Sequence, residues 1–401
     1  MRNSPRSARY LRPTARLIAL VVCGSVVAAC SSTADQIAAS SSAPAGSSST
    51  AASAASASTA VPAVCGAPEL ARLTLRQKLA QRLVVGVTGA ADAKTVVQTE
   101  QIGGIFVGSW TDLTMLSDGS AAALAESADT PLMVTVDQEG GRVARLSKLG
   151  IDLPAPRAAV ASGQTPGQVR AQAKKAGQQM AKLGITVDFA PVVDVSAESD
   201  DEVIGDRSYS SDAAVVTEYA GAFAAGLQDA GIMPVYKHFP GHGSASGDSH
   251  LGSVTTPPLA QLQRSDLVPY RTLLKNPGNA GVMVGHLMVP GLTQGDTPAS
   301  ISPAVMSMLR SGAGYDGPTF DGVIFSDDLS GMKAITDRYP IDQAVLRAFQ
   351  AGSDIGLWLT TDKVSAVLNT LERAVADGKL PEDEVDASVV RILRAKGVLS
   401  C

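Results

Sequence analysis

The chain is poor in the marks of several large protein classes. Its net charge is −5, and no block of Lys or Arg follows the arginines near its start, which argues against nucleic acid as a partner. No G-x-G-x-x-G and no P-loop follows an early apolar run, so a nucleotide-binding open sheet has little support. A G-x-S-x-G elbow is missing as well, which argues against a serine hydrolase. The apolar run Leu17–Ala29 is too short to cross a bilayer as a mature helix. Cysteine is scarce, occurring only as Cys23, Cys30, Cys65 and Cys401, and none stands near the histidine cluster of the sequence.

What is present begins with a leader. Arg2, Arg6, Arg9, Arg12 and Arg16 precede Leu17–Ala29, the layout of a secretory signal peptide over residues 1–29. Val27-Ala28-Ala29-Cys30 resembles a lipobox, so Cys30 is expected to be lipidated and to anchor an exported protein on the outer face of the cell membrane. Ordinary signal cleavage is the alternative. Residues 30–64 are rich in Ser and Ala, too polar and small to offset chain entropy, and are expected to form a disordered tether. About thirty such residues reach roughly 30 Å. Residues 65–401 then form the folded domain. Cys65 and Cys401 are left at its two ends, and in an exported chain they are expected to pair.

Within that domain, short apolar runs alternate with amphipathic stretches. Eight runs read as strands: Leu83–Val87, Gly104–Gly108, Leu132–Val136, Ile185–Val195, the run that ends at Tyr236, Gly281–Val284, Gly322–Phe325 and Asp354–Leu359. Their continuous apolar character suits parallel strands buried on both faces. Thr74, Thr165-Pro166 and Asp212 supply helix starts between them. The length fits one decorated (β/α)8 barrel of the TIM type, in the α/β class. A doubly wound sheet is the alternative.

The stretch Tyr236–Leu251, YKHFPGHGSASGDSHL, holds three of the four histidines. It passes from an apolar strand into a glycine-rich loop, which is how such a barrel presents an active site. Three readings stand side by side: metal ligation, histidines that satisfy loop backbone, and acid/base chemistry with sugar binding. Pro240-Gly241 denies His238 and His242 the shared helical face of a zinc pair, and the acid/base reading is preferred. Other strand ends carry Asp137, Asp194, His286 and Asp327, which a barrel would bring to one face.

At this point VDQEGGRVARL (Val136–Leu146), FAPVVDV (Phe189–Val195), Gly205-Asp206-Arg207-Ser208, KHFPGHG with DSH (Lys237–His250) and IFSDDLSGM (Ile324–Met332) resemble glycoside hydrolase family 3. The resemblance is to its β-N-acetylhexosaminidases of peptidoglycan turnover, the NagZ type, and to their exported actinobacterial members. It implies a retaining β-N-acetylglucosaminidase that releases terminal GlcNAc from GlcNAc-MurNAc wall fragments, with or without a peptide stem. Asp327 would be the nucleophile, His250 the acid/base and Asp248 its partner. Asp137, Arg145, Arg207, Lys237 and His238 would bind the sugar. No metal or organic cofactor is implied, and the protein is expected to be a monomer.

The residue types suit that chemistry. An ionised carboxylate can form a covalent glycosyl intermediate that water then releases. A histidine titrates near neutrality and can first donate and then accept a proton. Asp328 rivals Asp327 as the nucleophile, but in a strand it would face the opposite side. Asp194 and His286 read as supporting residues. Two departures from the family pattern stand out: Ser244, where many relatives carry an acidic residue, and Gly331 between Ser330 and Met332. The competing functions are a GlcNAc phosphorylase or a β-glucosidase of the same family, and a non-catalytic wall-binding lipoprotein.

Overall fold

The computed structural model describes residues 65–401. The leader, Cys30 and the Ser/Ala tether lie outside the described residues.

Eight strands close into a parallel barrel. They are β1 (Leu83–Val87), β2 (Gly104–Val107), β3 (Met133–Val136), β4 (Val187–Asp188), β5 (Met233–Phe239), β6 (Gly281–Val284), β7 (Ile324–Asp328) and β8 (Ile355–Trp358). Neighbours in the chain are neighbours in the barrel, and Leu83 pairs with Gly356 to seal it. The α/β barrel read from the apolar runs is therefore the fold.

The reason for unbroken apolar strands is visible at each one. Val84 of β1 and Phe106 of β2 point into the barrel, among Met133, Phe189, Met283 and Phe325. Their neighbours Val85, Ile105 and Val107 point outward into the layer beneath the helices. Successive strand residues face opposite sides, and here both sides are dry.

Helix starts follow local chemistry. Thr74 and Thr165 each form a reciprocal capping box, with Gln77 and Gln168 respectively, and open helices Leu75–Ala80 and Pro166–Lys182. Asp212 accepts from the Ala214 amide and opens Ala213–Asp229. The last helix, Glu382–Ala395, starts with three acidic residues and carries Ile392 into the barrel's interior core. Lys78 of Leu75–Ala80 is tied to this helix through Asp386 at 2.7 Å. Cys65 and Cys401 are joined by a disulfide that closes the domain end to end, across a sequence separation of 336.

Two strands differ from the reading of the sequence. Ile185–Val195 pairs regularly only at Val187–Asp188, and continues as scattered bonds such as Val193 N–H to Lys237 C=O at 2.7 Å. Pro191 has no N–H to sustain a ladder there. Conversely, β7 begins at Ile324 and runs to Asp328, so both aspartates lie inside the strand rather than beyond it. Its register against β8 shifts between Phe325 and Asp328.

Candidate active site

The C-terminal ends of the strands surround a cavity of about 250 Å³. Phe106, Phe189, Met283 and Leu357 line its lower part. Phe106 stacks on Phe189 at 5.8 Å, and Phe189 meets Phe325 edge-on at 5.3 Å. Polar groups from five loops and strand ends stand above this apolar base.

The first cluster is a charge lattice. Asp137 follows β3, and the chain then turns into the hairpin Gln138–Gly140 with Val143–Ala144. Asp137 and Glu139 are two residues apart and both meet Lys237. Its ammonium lies 2.7 Å from Asp137 Oδ1 and 2.6 Å from Glu139 Oε1. Arg207 arrives on the short 3-10 turn Gly205–Arg207 and forks onto both Glu139 oxygens, at 2.8 and 2.9 Å. Burial alone would favour neutral groups, but the opposite charges outweigh it: the Glu139 carboxyl is held well below its usual range and both cations are held above theirs.

A second cluster orients His238. Its Nδ1 lies 2.7 Å from Asp194 Oδ2, and because a carboxylate only accepts, Nδ1 carries the proton. The other nitrogen faces Arg207 at 3.5 Å. Asp194 also accepts from the amides of His238 and His242, at 3.2 and 2.7 Å. It is fully wrapped, which is the supporting role read from the sequence.

Asp327 projects into the same cavity from β7 and is 8% exposed. Burial pushes its carboxyl up, but His238, His286, the Asp328 amide and Lys237 together bring it below the usual carboxylate range. Asp328 is placed differently. Its carboxylate is consumed by the Ser330 amide, the Ser330 hydroxyl and the Gly331 amide, at 2.8, 2.9 and 2.8 Å. The extra glycine of this sequence thus completes a turn that holds Asp328. His286 fixes the strand end, donating from Nε2 to the Asp328 carbonyl at 2.7 Å.

The remaining pair rides on the loop after β5. Gly241 and Gly243 are required at its base: a Cβ at Gly241 would collide with Asp266, and one at Gly243 with the Val195 backbone. Asp266 Oδ1 accepts from the amides of Val195 and Gly243, each at 3.3 Å. Farther along, Asp248 Oδ1 accepts from the His250 amide at 2.8 Å and lies 2.9 Å from its Nδ1. That leaves Nε2 as the free nitrogen of a side chain that is 60% exposed. The loop is stapled to the segment after β7: the Ala334 amide donates to Ser249 C=O at 3.1 Å, and Arg338 to Ser253 Oγ at 3.0 Å. Through those bonds His250 reaches the cavity that Asp327 occupies.

All eight candidate residues therefore meet. Asp137, Arg145, Arg207, Lys237, His238, His250 and Asp327 line the cavity, and Asp248 holds His250. The Arg145 guanidinium makes no hydrogen bond among the described residues and is available to a ligand.

Reading the sequence missed Glu139, the acid on which Lys237 and Arg207 converge. The signal was its spacing of two from Asp137 in an extended stretch. It also missed Asp188, whose Oδ1 accepts from the Gln138 amide at 2.9 Å while Oδ2 has no partner among the described residues. Burial raises this carboxyl to about 8.

Known proteins place this site in context. Residues 74–395 match the N-terminal domain of glycosyl hydrolase family 3. A β-hexosaminidase of Mycobacterium tuberculosis, LpqI, is 57% identical over 340 residues, covering 84% of this chain and 87% of that protein. The crystal structure of a family 3 glycosyl hydrolase from Mycobacterium smegmatis is similar with a TM-score of 0.80 and 58% identity, over 82% of this chain and 99% of that one. A β-N-acetylglucosaminidase from a Paenibacillus species is 32% identical with a TM-score of 0.73, over 81% of this chain and 62% of that one. With its family match spanning nearly the whole barrel and its motifs gathered around one cavity, the chain belongs to glycoside hydrolase family 3.

Proposed function

We propose that this protein is a retaining β-N-acetylglucosaminidase that removes terminal GlcNAc from GlcNAc-MurNAc fragments of peptidoglycan. The observation that carries the reading is a buried Asp327 in the same cavity as an exposed His250 that Asp248 holds. One group is suited to attack and the other to move a proton. The β-hexosaminidase and β-N-acetylglucosaminidase names of the relatives supply the sugar.

In the first step an Asp327 oxygen attacks the anomeric carbon as the glycosidic C–O bond breaks. His250 gives the Nε2 proton to the departing oxygen. In the second step His250 takes a proton from water, whose oxygen displaces Asp327 and restores the carboxylate with retained configuration. Asp248 fixes the ring through Nδ1. Asp137, Arg145, Arg207, Lys237 and His238 offer acceptors and donors to the sugar hydroxyls and acetamido group.

The same reading places the enzyme outside the cytoplasm, tethered by lipid on Cys30. The Cys65–Cys401 disulfide supports an oxidising compartment.

The test is turnover of an aryl β-N-acetylglucosaminide by the wild-type protein, Asp327→Ala and His250→Ala, with and without phosphate. Activity lost in both variants supports the assignment. Wild-type silence on this sugar with turnover of the matching glucoside would overturn the substrate. Sugar 1-phosphate as the product would convert the hydrolase into a phosphorylase.

A further inference from the structure

Among the described residues, large hydrophobic side chains stand exposed at Trp110, Leu251 and Val398, with exposures of 44%, 76% and 39%. Two of the three are at the barrel mouth: Trp110 lines the cavity, and Leu251 follows His250 on its loop. An indole half open to solvent beside a polar pocket is costly to hydrate and is a common mark of a binding surface.

Its surroundings hold Trp110 in one pose. A Cβ added to Gly108 would land against Cη2, Cζ2 and Cζ3 of the indole at nearly equal distances. The six-membered ring therefore lies face-down on the Gly108 backbone. Phe106 supports it at 6.0 Å, with the rings tilted by 54°. The turn beneath is bonded to the end of β1: Thr111 Oγ1 accepts from the Gly108 amide at 3.0 Å and donates to Val87 C=O at 2.6 Å, and the Asp112 amide donates to Thr88 C=O at 2.9 Å. One face of the ring is covered by backbone, the ring cannot swing freely, and the indole lines the cavity while staying 44% exposed.

The depth of the neighbouring groups says which sugar would meet it. Lys237 and Glu139 are 3% and 2% exposed, at the deep end where the terminal sugar's hydroxyls must be bonded. Trp110 stands at the rim, on the way out. An enzyme that removes terminal residues holds the departing part of its substrate toward that rim. A β-linked pyranose carries axial C–H bonds on its faces, which are electropositive and suit the electron-rich face of an indole.

We propose that Trp110 is the platform for the ring on the leaving-group side of the scissile bond, and that it makes the enzyme selective for glycosides whose aglycone is itself a pyranose. This rests on the N-acetylglucosaminidase reading and adds a specificity determinant to it. Gly108 is part of the device, because only a residue without a Cβ lets the indole lie flat.

The test compares N,N′-diacetylchitobiose with methyl β-N-acetylglucosaminide, which has no aglycone ring, and measures inhibition by free GlcNAc. The full-length protein is used as wild type, Trp110→Ala, Trp110→Phe and Gly108→Ala. Trp110→Ala is expected to lower kcat/KM for the disaccharide about tenfold, mainly through KM, with the methyl glycoside and GlcNAc inhibition changed by less than about twofold. Trp110→Phe restores most of the loss, and Gly108→Ala reproduces it with the indole still present. A fall of all three readouts together, or no change in their ratio, would overturn the platform while leaving the hexosaminidase standing. A wild type inactive on every N-acetylglucosaminide would overturn both.

Discussion

Glu139 receives Nε and Nη2 of Arg207 at 2.8 and 2.9 Å, a two-point contact between a buried carboxylate and a half-buried guanidinium. The same carboxylate holds Lys237, so one acid positions two of the cations proposed to bind sugar. Glu139→Gln removes the charge that both cations share, leaving Asp137 in contact with Lys237 but no carboxylate in contact with Arg207. Removing one partner of a buried pair costs about 3–5 kcal/mol. A displacement of about 1 Å in the donors lowers kcat/KM about 100-fold. Thermal melting and kinetics read the two effects, and wild-type values in both would refute the role given to Glu139. The Glu139 carboxyl is held below its usual range. Its contribution to stability is therefore present in full above that range and is lost progressively as pH falls from it toward the depressed pKa.

Asp327 is expected to be ionised across the working range, because His238, His286 and Lys237 outweigh the effect of its burial. Asp327→Asn should lower kcat at least about 1,000-fold while the melting temperature stays within a few degrees. In the wild type, the acid limb of kcat/KM that belongs to the nucleophile should fall below the ordinary carboxylate range. An acid limb above that range would mean that the nucleophile lies elsewhere.

Asp188 behaves in the opposite sense. Its carboxyl is raised to about 8 by burial, with Oδ2 unpartnered among the described residues. The native state therefore holds a proton that the unfolded chain releases near pH 4, and stability falls as pH rises between about 4 and 8. Asp188→Asn keeps the acceptor for the Gln138 amide and removes the titration. It should gain at least about 1 kcal/mol at pH 8 relative to pH 5, compared with wild type. Parallel pH–stability curves for the two proteins would rule out this origin.

The Cys65–Cys401 bridge closes nearly the whole domain, with a sequence separation of 336. Under the unfolded-chain entropy account a loop of this size contributes about 6 kcal/mol. The Cys65→Ser/Cys401→Ser double variant should therefore denature at lower urea concentration. Its activity at low temperature should be unchanged, since neither cysteine lines the cavity. Loss of activity in a folded double variant would show that the termini reach the site.

Much of the site could be read because its motifs lie at strand ends. Asp137, Lys237, His238 and Asp327 each follow or finish an apolar run, and a barrel brings those ends together. Glu139 was overlooked because the chain around it turns into a hairpin after β3, where an acidic side chain could as easily point into water. Asp188 was hidden for another reason: one aspartate in an apolar run reveals nothing of whether a partner will reach both its oxygens. Ile185–Val195 read as one strand because periodicity reports burial, and burial continues past Pro191 even where the ladder does not.

Local pattern along the chain was enough for the barrel, its helix starts and the residue types of its chemistry. Those follow from hydrophobic period, capping side chains and glycine placement, which act over a few neighbouring residues. The pairings emerge on folding alone: Glu139 with Arg207 across 68 residues, His238 with Asp194 across 44, the His250 loop stapled to the segment after β7, and Trp110 laid flat on Gly108 at the rim. Such contacts depend on distances between segments far apart in the chain. Those distances are set by how the closed sheet and its helices pack, and no local pattern encodes them.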